Sequence, residues 1–219
     1  MRIHIAGEAA DRPDITQRAI VVDAPRRTQL LRHLLAVHGW ERALVFVATK
    51  YAAEQVADKL RRAGLSAEPF HGLLSQGKRN QVLADFKAQR VQVVVSTDLA
   101  GRGIDIAQLP VVVNFDLPRS STDHVHRIGR TGRAGESGLA VSFVSPAQEA
   151  HFRLIEKRQG IQVPREVIAG FEPEASAPEA SPTGSPTPAA PTGGIKGRRP
   201  SKKDKLRAAA AAAQQEKPP

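Results

Sequence analysis

Three arginines spaced three residues apart, Arg127, Arg130 and Arg133, occupy the run His126-Arg127-Ile128-Gly129-Arg130-Thr131-Gly132-Arg133. On a helical segment that spacing lets them project to one side, and Gly129 and Gly132 keep the surface between them low. A guanidinium offers a planar fork matched to phosphate oxygens, so the chemistry this run suits is nucleotide or nucleic-acid recognition. The bland alternative is a solvated basic turn; the interleaved glycines and the leading His126 argue against it. A second run, Thr97-Asp98-Leu99-Ala100-Gly101-Arg102-Gly103-Ile104-Asp105, sets Arg102 between two glycines. Asp105 there suits a ribose hydroxyl, or serves as an ordinary helix or turn cap.

A third run needs more care. Gly72-Leu73-Leu74-Ser75-Gln76-Gly77-Lys78-Arg79 satisfies G-x-x-x-x-G-K. A working phosphate loop next requires a Ser or Thr hydroxyl to hold Mg²⁺, and Arg79 cannot replace it. The same residues read better as a helix N-terminus capped by Ser75 and facing a backbone phosphate. Gln76 and Arg79 then share one helical face.

These residues must be carried by regular elements, and the pattern of apolar residues supplies them. Strands are expected over Ile15–Val22, Ala43–Ala48, Ala67–Phe70, Gln92–Ser96, Val111–Phe115 and Leu139–Val144. Helices are expected over Thr28–Val37, Ala52–Ala63, Gln76–Ala88 and Ala147–Gln159, with a short one near Asp123–Ile128. Val93-Val94-Val95 and Val111-Val112-Val113 are apolar on both faces, as strands buried between two helical layers must be. Strand–helix alternation therefore predicts an α/β domain with a doubly wound parallel sheet and helices on both faces. In such folds ligands meet the loops beyond the carboxyl ends of the strands, and that is where Thr49-Lys50, His71-Gly72, Thr97 and Asp116 fall.

The chain has 219 residues and a net charge of +10, which makes a polyanion the expected partner, nucleic acid ahead of a membrane surface. Aromatics are only 4%, which argues against a sheet that stacks bases on several rings and for contacts to the backbone. No apolar run approaches the roughly 18 residues of a membrane span. With no cysteine, disulfides, cysteine–zinc sites and thiol catalysis are excluded; a cytoplasmic location is expected, and no metal ligand set is evident.

Composition changes at residue 172. Residues 1–171 carry a charge of +7 and are expected to form one folded domain, whereas 172–219 hold 9 of the 16 prolines. Such a stretch buries too little apolar area to offset its ordering entropy and is expected to be disordered. Within it, Lys196 to Arg207 has seven basic residues and one acidic. This patch suits either a basic arm that raises RNA affinity without sequence choice or a solubilising tail.

Taken together, these runs resemble the second RecA-like domain of DEAD-box RNA helicases. Val45-Phe46-Val47-Ala48-Thr49 is similar to motif IV, Gln76 through Arg79 to the Q-x-x-R element, Thr97 through Asp105 to motif V, and His126 through Arg133 to motif VI. Ala169-Gly170-Phe171-Glu172-Pro173 and the basic tail resemble bacterial members of the RhlE type. The resemblance implies a RecA-like fold and ATP as the nucleotide. Arg130 and Arg133 would be arginine fingers on its γ-phosphate, with Gly103 and Asp105 contacting the nucleotide. Such fingers contribute about 10³–10⁵ in rate where they have been measured. His126 and Arg127 would support the interdomain face, His126 being grouped with the fingers. RNA phosphates and sugars would be held by Thr49, Gly72, Gln76, Arg79 and Thr97, with little sequence preference. Two departures stand out: Leu73 follows His71-Gly72 where an Asp is common, and Gly101 replaces a usual Ala, which is expected to loosen the loop.

The family's first domain is not found in these residues. There is no complete phosphate loop, no Asp-Glu-Ala-Asp run and no Ser-Ala-Thr motif, so Mg²⁺ and the triphosphate would be held by a first domain in cis or in trans. The expectation is the carboxyl half of an ATP-dependent RNA helicase, without substantial ATPase activity alone. A stand-alone, non-catalytic RNA-binding module and half of a DNA translocase remain as alternatives.

Overall fold

A computed structural model describes residues 14–101, 109–132 and 137–174. Seven strands form a single parallel sheet: β1 (Ile15–Val21), β2 (Ala43–Val47), β3 (Ala67–Phe70), β4 (Val93–Thr97), β5 (Val111–Asn114), β6 (Gly138–Val144) and β7 (Arg165–Glu166). Their spatial order is β3-β4-β2-β5-β6-β1-β7. The helices are α1 (Arg27–His38), α2 (Lys50–Arg62), α3 (Gln76–Lys87), α4 (Asp98–Gly101), α5 (Ser121–Ile128) and α6 (Glu149–Gln159), with single 3₁₀ turns ahead of α1 and α6.

The order of the strands dictates which face each helix covers. Steps β1→β2 and β2→β3 move across the sheet in one direction; every later step moves in the other. Because crossovers between parallel strands are right-handed, α1 and α2 lie on one face and α3 to α6 on the opposite one. Alternation within the strands matches. Val45, Val93, Val95, Val111 and Val113 join Leu30, Leu34, Val56 and Leu60 in one buried cluster. Leu44, Phe46, Val94 and Val112 join Phe70, Val82 and Phe86 in another. Phe152 and Ile155 of α6 cover Ala19 and Val144. The expected doubly wound, RecA-like sheet with helices on both faces is therefore what the chain adopts.

Two elements go beyond the expectation, α4 and β7. The latter is two residues long, pairs with Ala19 and Ile20 of β1, and is fastened by Arg18, whose guanidinium donates to the Glu166 carboxylate at 2.6–3.1 Å. Beyond it, Arg26 donates to the carbonyls of Gly170 and Glu172 and lies over the Phe171 ring. The Glu174 amide donates to Asp23 Oδ2 at 2.8 Å, so bonding to the domain runs three residues past the expected boundary. The remainder of the tail, including Lys196–Arg207, lies outside the described residues.

Candidate functional site

The carboxyl ends of β3, β4 and β2 lie side by side. Phe70 is in register with Ser96, and Val47 with Thr97. Neighbouring parallel strands are about 5 Å apart, so the chain segments leading to Gly72, Thr97 and Thr49 emerge in a row. Each is followed by groups suited to an anion. Thr49 caps α2, its hydroxyl oxygen accepting from the Ala52 amide at 3.0 Å; that contact uses a lone pair and leaves the O–H as a donor. Ser75 caps α3 in the same manner, accepting from Lys78 N at 3.3 Å. Gly72 and Gly77 are exposed, and an added Cβ at either would meet nothing within 4 Å. Intramolecular packing does not require glycine at these two places.

Side chains in this row are only partly committed. Gln76 is exposed and bonds within its helix to Asn80 at 2.9 Å. The Arg79 guanidinium lies over the Phe70 ring at 5.3 Å, and its buried Nε finds no hydrogen-bond partner. His71, just before Gly72, is buried, with Nε2 2.8 Å from Glu54 Oε1 of α2. Leu73 is exposed, so it occupies no core position in place of the missing carboxylate.

The arginine run is organised differently from the expectation of one shared face. α5 ends at Ile128, and Gly129 caps it, so Arg130 lies past the helix while Arg127 points inward. Arg127 is only 2% exposed. Its Nε and Nη2 donate to the two Asp98 oxygens at 2.5 and 2.8 Å. Its Nη1 donates to Asn114 Oδ1 at 3.1 Å and to the Asp116 carbonyl at 2.6 Å. Asn114 donates in turn to Ser142 at 3.1 Å, and the guanidinium lies 5.1 Å from the Phe46 ring centre. One buried cation thus ties α5 to α4, to β5 and to the Phe46 ring of β2, and through Asn114 to β6. Arg130 is half-buried and lines a small cleft with His126, Asp98, Gly101 and Asp123. Gly103, Asp105 and Arg133, like Arg102, fall outside the described residues.

Gly101 has a physical reason that differs from the loosening expected. A Cβ there would stand 2.6 Å from Cε1 of Phe46. Glycine makes room for the ring that covers Arg127.

Sequence reasoning gave no role to Asn114 or His124, and it placed Asp98 and Asp116 only in runs beyond strand ends, not as partners of buried arginines. His126 drew attention because it opens the arginine run, yet it is exposed, while His124 two residues earlier is buried. His124 Nδ1 lies 3.0 Å from Gln159 Nε2, and its Nε2 has no partner. Burial, reinforced by the charge of Arg127, pushes its pKa down to about 4. The ring is therefore neutral at pH 7, with the lone pair on Nδ1 accepting from Gln159. On the opposite face of the sheet, burial lowers the Arg27 guanidinium against the pull of Asp116, which holds it at 2.8 Å. Hydrophobic periodicity carries no signal for such groups, since one polar residue at a strand end or on a short helix looks the same whether bonded inward or solvated.

Helices on both faces of a parallel sheet, with glycines, hydroxyls and arginines at its carboxyl edge, define a domain of the RecA-like class. Comparison with known proteins agrees. The model of the helicase conserved C-terminal domain matches residues 26–135. The DEAD-box ATP-dependent RNA helicase CshA of Geobacillus kaustophilus is 41% identical over 145 residues, which is 66% of this chain and 31% of that protein. A crystal structure of the E. coli DEAD-box protein SrmB bound to the regulator of ribonuclease activity A superposes with a TM-score of 0.70. It is 35% identical, covering 76% of this chain and 98% of that one. S. cerevisiae Dbp5 bound to RNA and ADP BeF3 superposes at a TM-score of 0.66 and 31% identity, covering 72% of this chain and 42% of that one. The chain belongs to the helicase C-terminal domain family, as the C-terminal domain of the DEAD-box RNA helicase kind. It spans about a third of the length of the curated relatives it matches.

Proposed function

We propose that this chain supplies the second RecA-like half of an ATP-dependent RNA helicase of bacterial RhlE type. Residues 1–171 form the working domain and the basic tail from residue 172 adds RNA affinity. Thr49, Gly72, Gln76, Arg79 and Thr97 hold RNA phosphates and sugars. Arg130 and Arg133 meet the γ-phosphate of ATP, Gly103 and Asp105 contact the nucleotide, and His126 lies on the face that meets the first domain, which Arg127 braces from beneath. The observation that carries this reading is the register of β3, β4 and β2, which brings three separate sequence runs into one row of anion-binding groups. Two bare glycines that packing does not demand support close approach of a backbone to that row.

These 219 residues hold no complete phosphate loop, so turnover requires a first domain that brings Mg²⁺ and the triphosphate. The chain alone is expected to bind single-stranded RNA with little sequence preference and an affinity that falls steeply with salt. Mixed with or joined to a DEAD-box first domain, it should hydrolyse ATP in response to RNA, and Arg130→Ala should lower that rate by about 10³ or more. Titration with labelled RNA across a salt series, alongside phosphate release, measures both. RNA-stimulated hydrolysis by the chain alone would refute the division of labour. RNA binding with no turnover in any pairing would favour a binding module instead.

A further inference from the structure

Beyond Val47 the ladder between β2 and β4 ends, and the chain turns through Ala48 and Thr49 into α2. The Ala48 amide donates to Asp116 Oδ2 at 2.9 Å. The other oxygen, Oδ1, accepts from Arg27 Nη1 at 2.8 Å, and Arg27, 5% exposed, is held from its far side by Gln148. The Asp116 amide donates to the Phe46 carbonyl at 3.1 Å, and its own carbonyl accepts from Arg127 at 2.6 Å. Every polar group of this one residue is engaged, with partners on α1, on the turn before α2 and on α5.

We propose that Asp116 is a positioning residue that holds the Ala48–Thr49 turn where the Thr49 hydroxyl can meet an RNA phosphate, in fixed register with the arginine segment on the other side of β2. This rests on the reading of Thr49 as an RNA contact. Arg27 orients the carboxylate so that its second oxygen faces Ala48, and a hydrogen bond to a charged acceptor is stronger than one between neutral groups. The amide so pinned immediately precedes Thr49. Only a side chain with two acceptors can serve both donors. Asparagine has one, and the charged Arg27 would claim it, turning an NH₂ group against the Ala48 N–H. This creates an unusual expectation: removing Arg27 as well should free the asparagine carbonyl for Ala48.

The test uses the full 219-residue chain, a labelled single-stranded oligouridylate and hydrogen exchange at the Ala48 amide, with the buried Val45 amide as internal control. Asp116→Asn should speed Ala48 exchange relative to Val45. It should weaken RNA binding roughly threefold to tenfold, the range one hydrogen bond covers, as Thr49→Ala does alone. Combining the two should cost no more than either. The double variant Arg27→Met/Asp116→Asn should regain Ala48 protection and most of the RNA affinity, an outcome that general damage to a network cannot produce. Should Asp116→Asn not fold, Arg27→Met/Asp116→Ala replaces it: Arg27→Met alone should keep Ala48 protected, and removing the carboxylate in that background should expose it. Unchanged Ala48 exchange, losses that multiply, or no recovery in the double variant would each overturn the proposal. A silent Thr49→Ala with faster Ala48 exchange in Asp116→Asn would instead mark failure of the RNA contact itself, and the positioning role would fall with it.

Discussion

Two stretches of the same sheet edge treat polar side chains in opposite ways. Over β3 and the start of α3, Gly72, Gln76, Gly77 and Lys78 stand in solvent, and the polar contacts there are the Ser75 cap, the Gln76–Asn80 pair and two pairs with carboxylates, Lys78 with Glu68 and His71 with Glu54. Over β5, α5 and β6, Arg127, Asn114 and Ser142 are buried and bonded to one another, with Arg127 also held by Asp98 of α4. As sequence the two look alike, each following a strand and running into glycines and basic residues, Gly72 to Arg79 in one and His126 to Arg133 in the other. The first holds Gln76 and Lys78 in surface pairs that an external partner can displace. The second uses an arginine as an internal brace, and the surface that Arg130 and His126 occupy is built on that brace.

The largest effect should come from breaking the brace. Asp98→Ala would leave the buried Arg127 guanidinium without its carboxylate, and such a stranded charge typically costs about 3–5 kcal/mol. Denaturant unfolding of the variant measures it; a loss below about 1 kcal/mol would mean that Arg127 reaches water and that the two stretches do not differ in kind.

Acid should discriminate next. His124 has its folded pKa lowered to about 4, while the unfolded ring titrates near 6.5. The neutral native ring therefore contributes stability that is fully present above pH 6.5 and is lost as pH falls toward 4. Linkage puts the loss between pH 7 and pH 5 at about 2 kcal/mol. His124→Phe should flatten that interval, since the carboxylates that Arg165 holds low, Glu149 and Glu156, protonate only below their ordinary range. An unchanged slope in the variant would place the acid sensitivity elsewhere.

The smallest effect on stability should come from the exposed stretch. Gln76→Ala should shift unfolding by no more than about 0.5 kcal/mol, as surface changes usually do, and yet weaken RNA binding a few-fold. If it destabilises the domain by as much as Asp98→Ala, the contrast between the stretches is void.

Much of the fold can be read along the chain because burial on both sheet faces leaves an unmistakable mark. Val93-Val94-Val95 and Val111-Val112-Val113 can be little else than central parallel strands. The exceptions follow from size. α4 spans a single turn, too short for periodicity to register, and β7 is Arg165–Glu166, a charged pair made a strand by its bonds to β1 and to Arg18. At the site, Ser75 was legible as a cap because a cap is a local relation between a side chain and an amide three residues on; the like role of Thr49 at α2 was not read from the sequence. Spacing alone did not separate Arg127 from Arg130: α5 stops at Ile128 as expected, but the inward turn of Arg127 depends on Asp98, Asn114 and the Asp116 carbonyl. Nor was His124 separable from His126.

Relations spanning a few residues or repeated at the period of a strand or helix were already set by the order of amino acids: the parallel layered sheet, the capped helix starts, the basic character of the chain, and the runs that collect at one edge. Whether a charged group bonds inward or faces solvent depended on partners distant in the chain, as with Arg127 on Asp98 and Asp116 between Arg27 and Ala48. Only folding brings such partners within hydrogen-bond range and removes the water that would otherwise have served them.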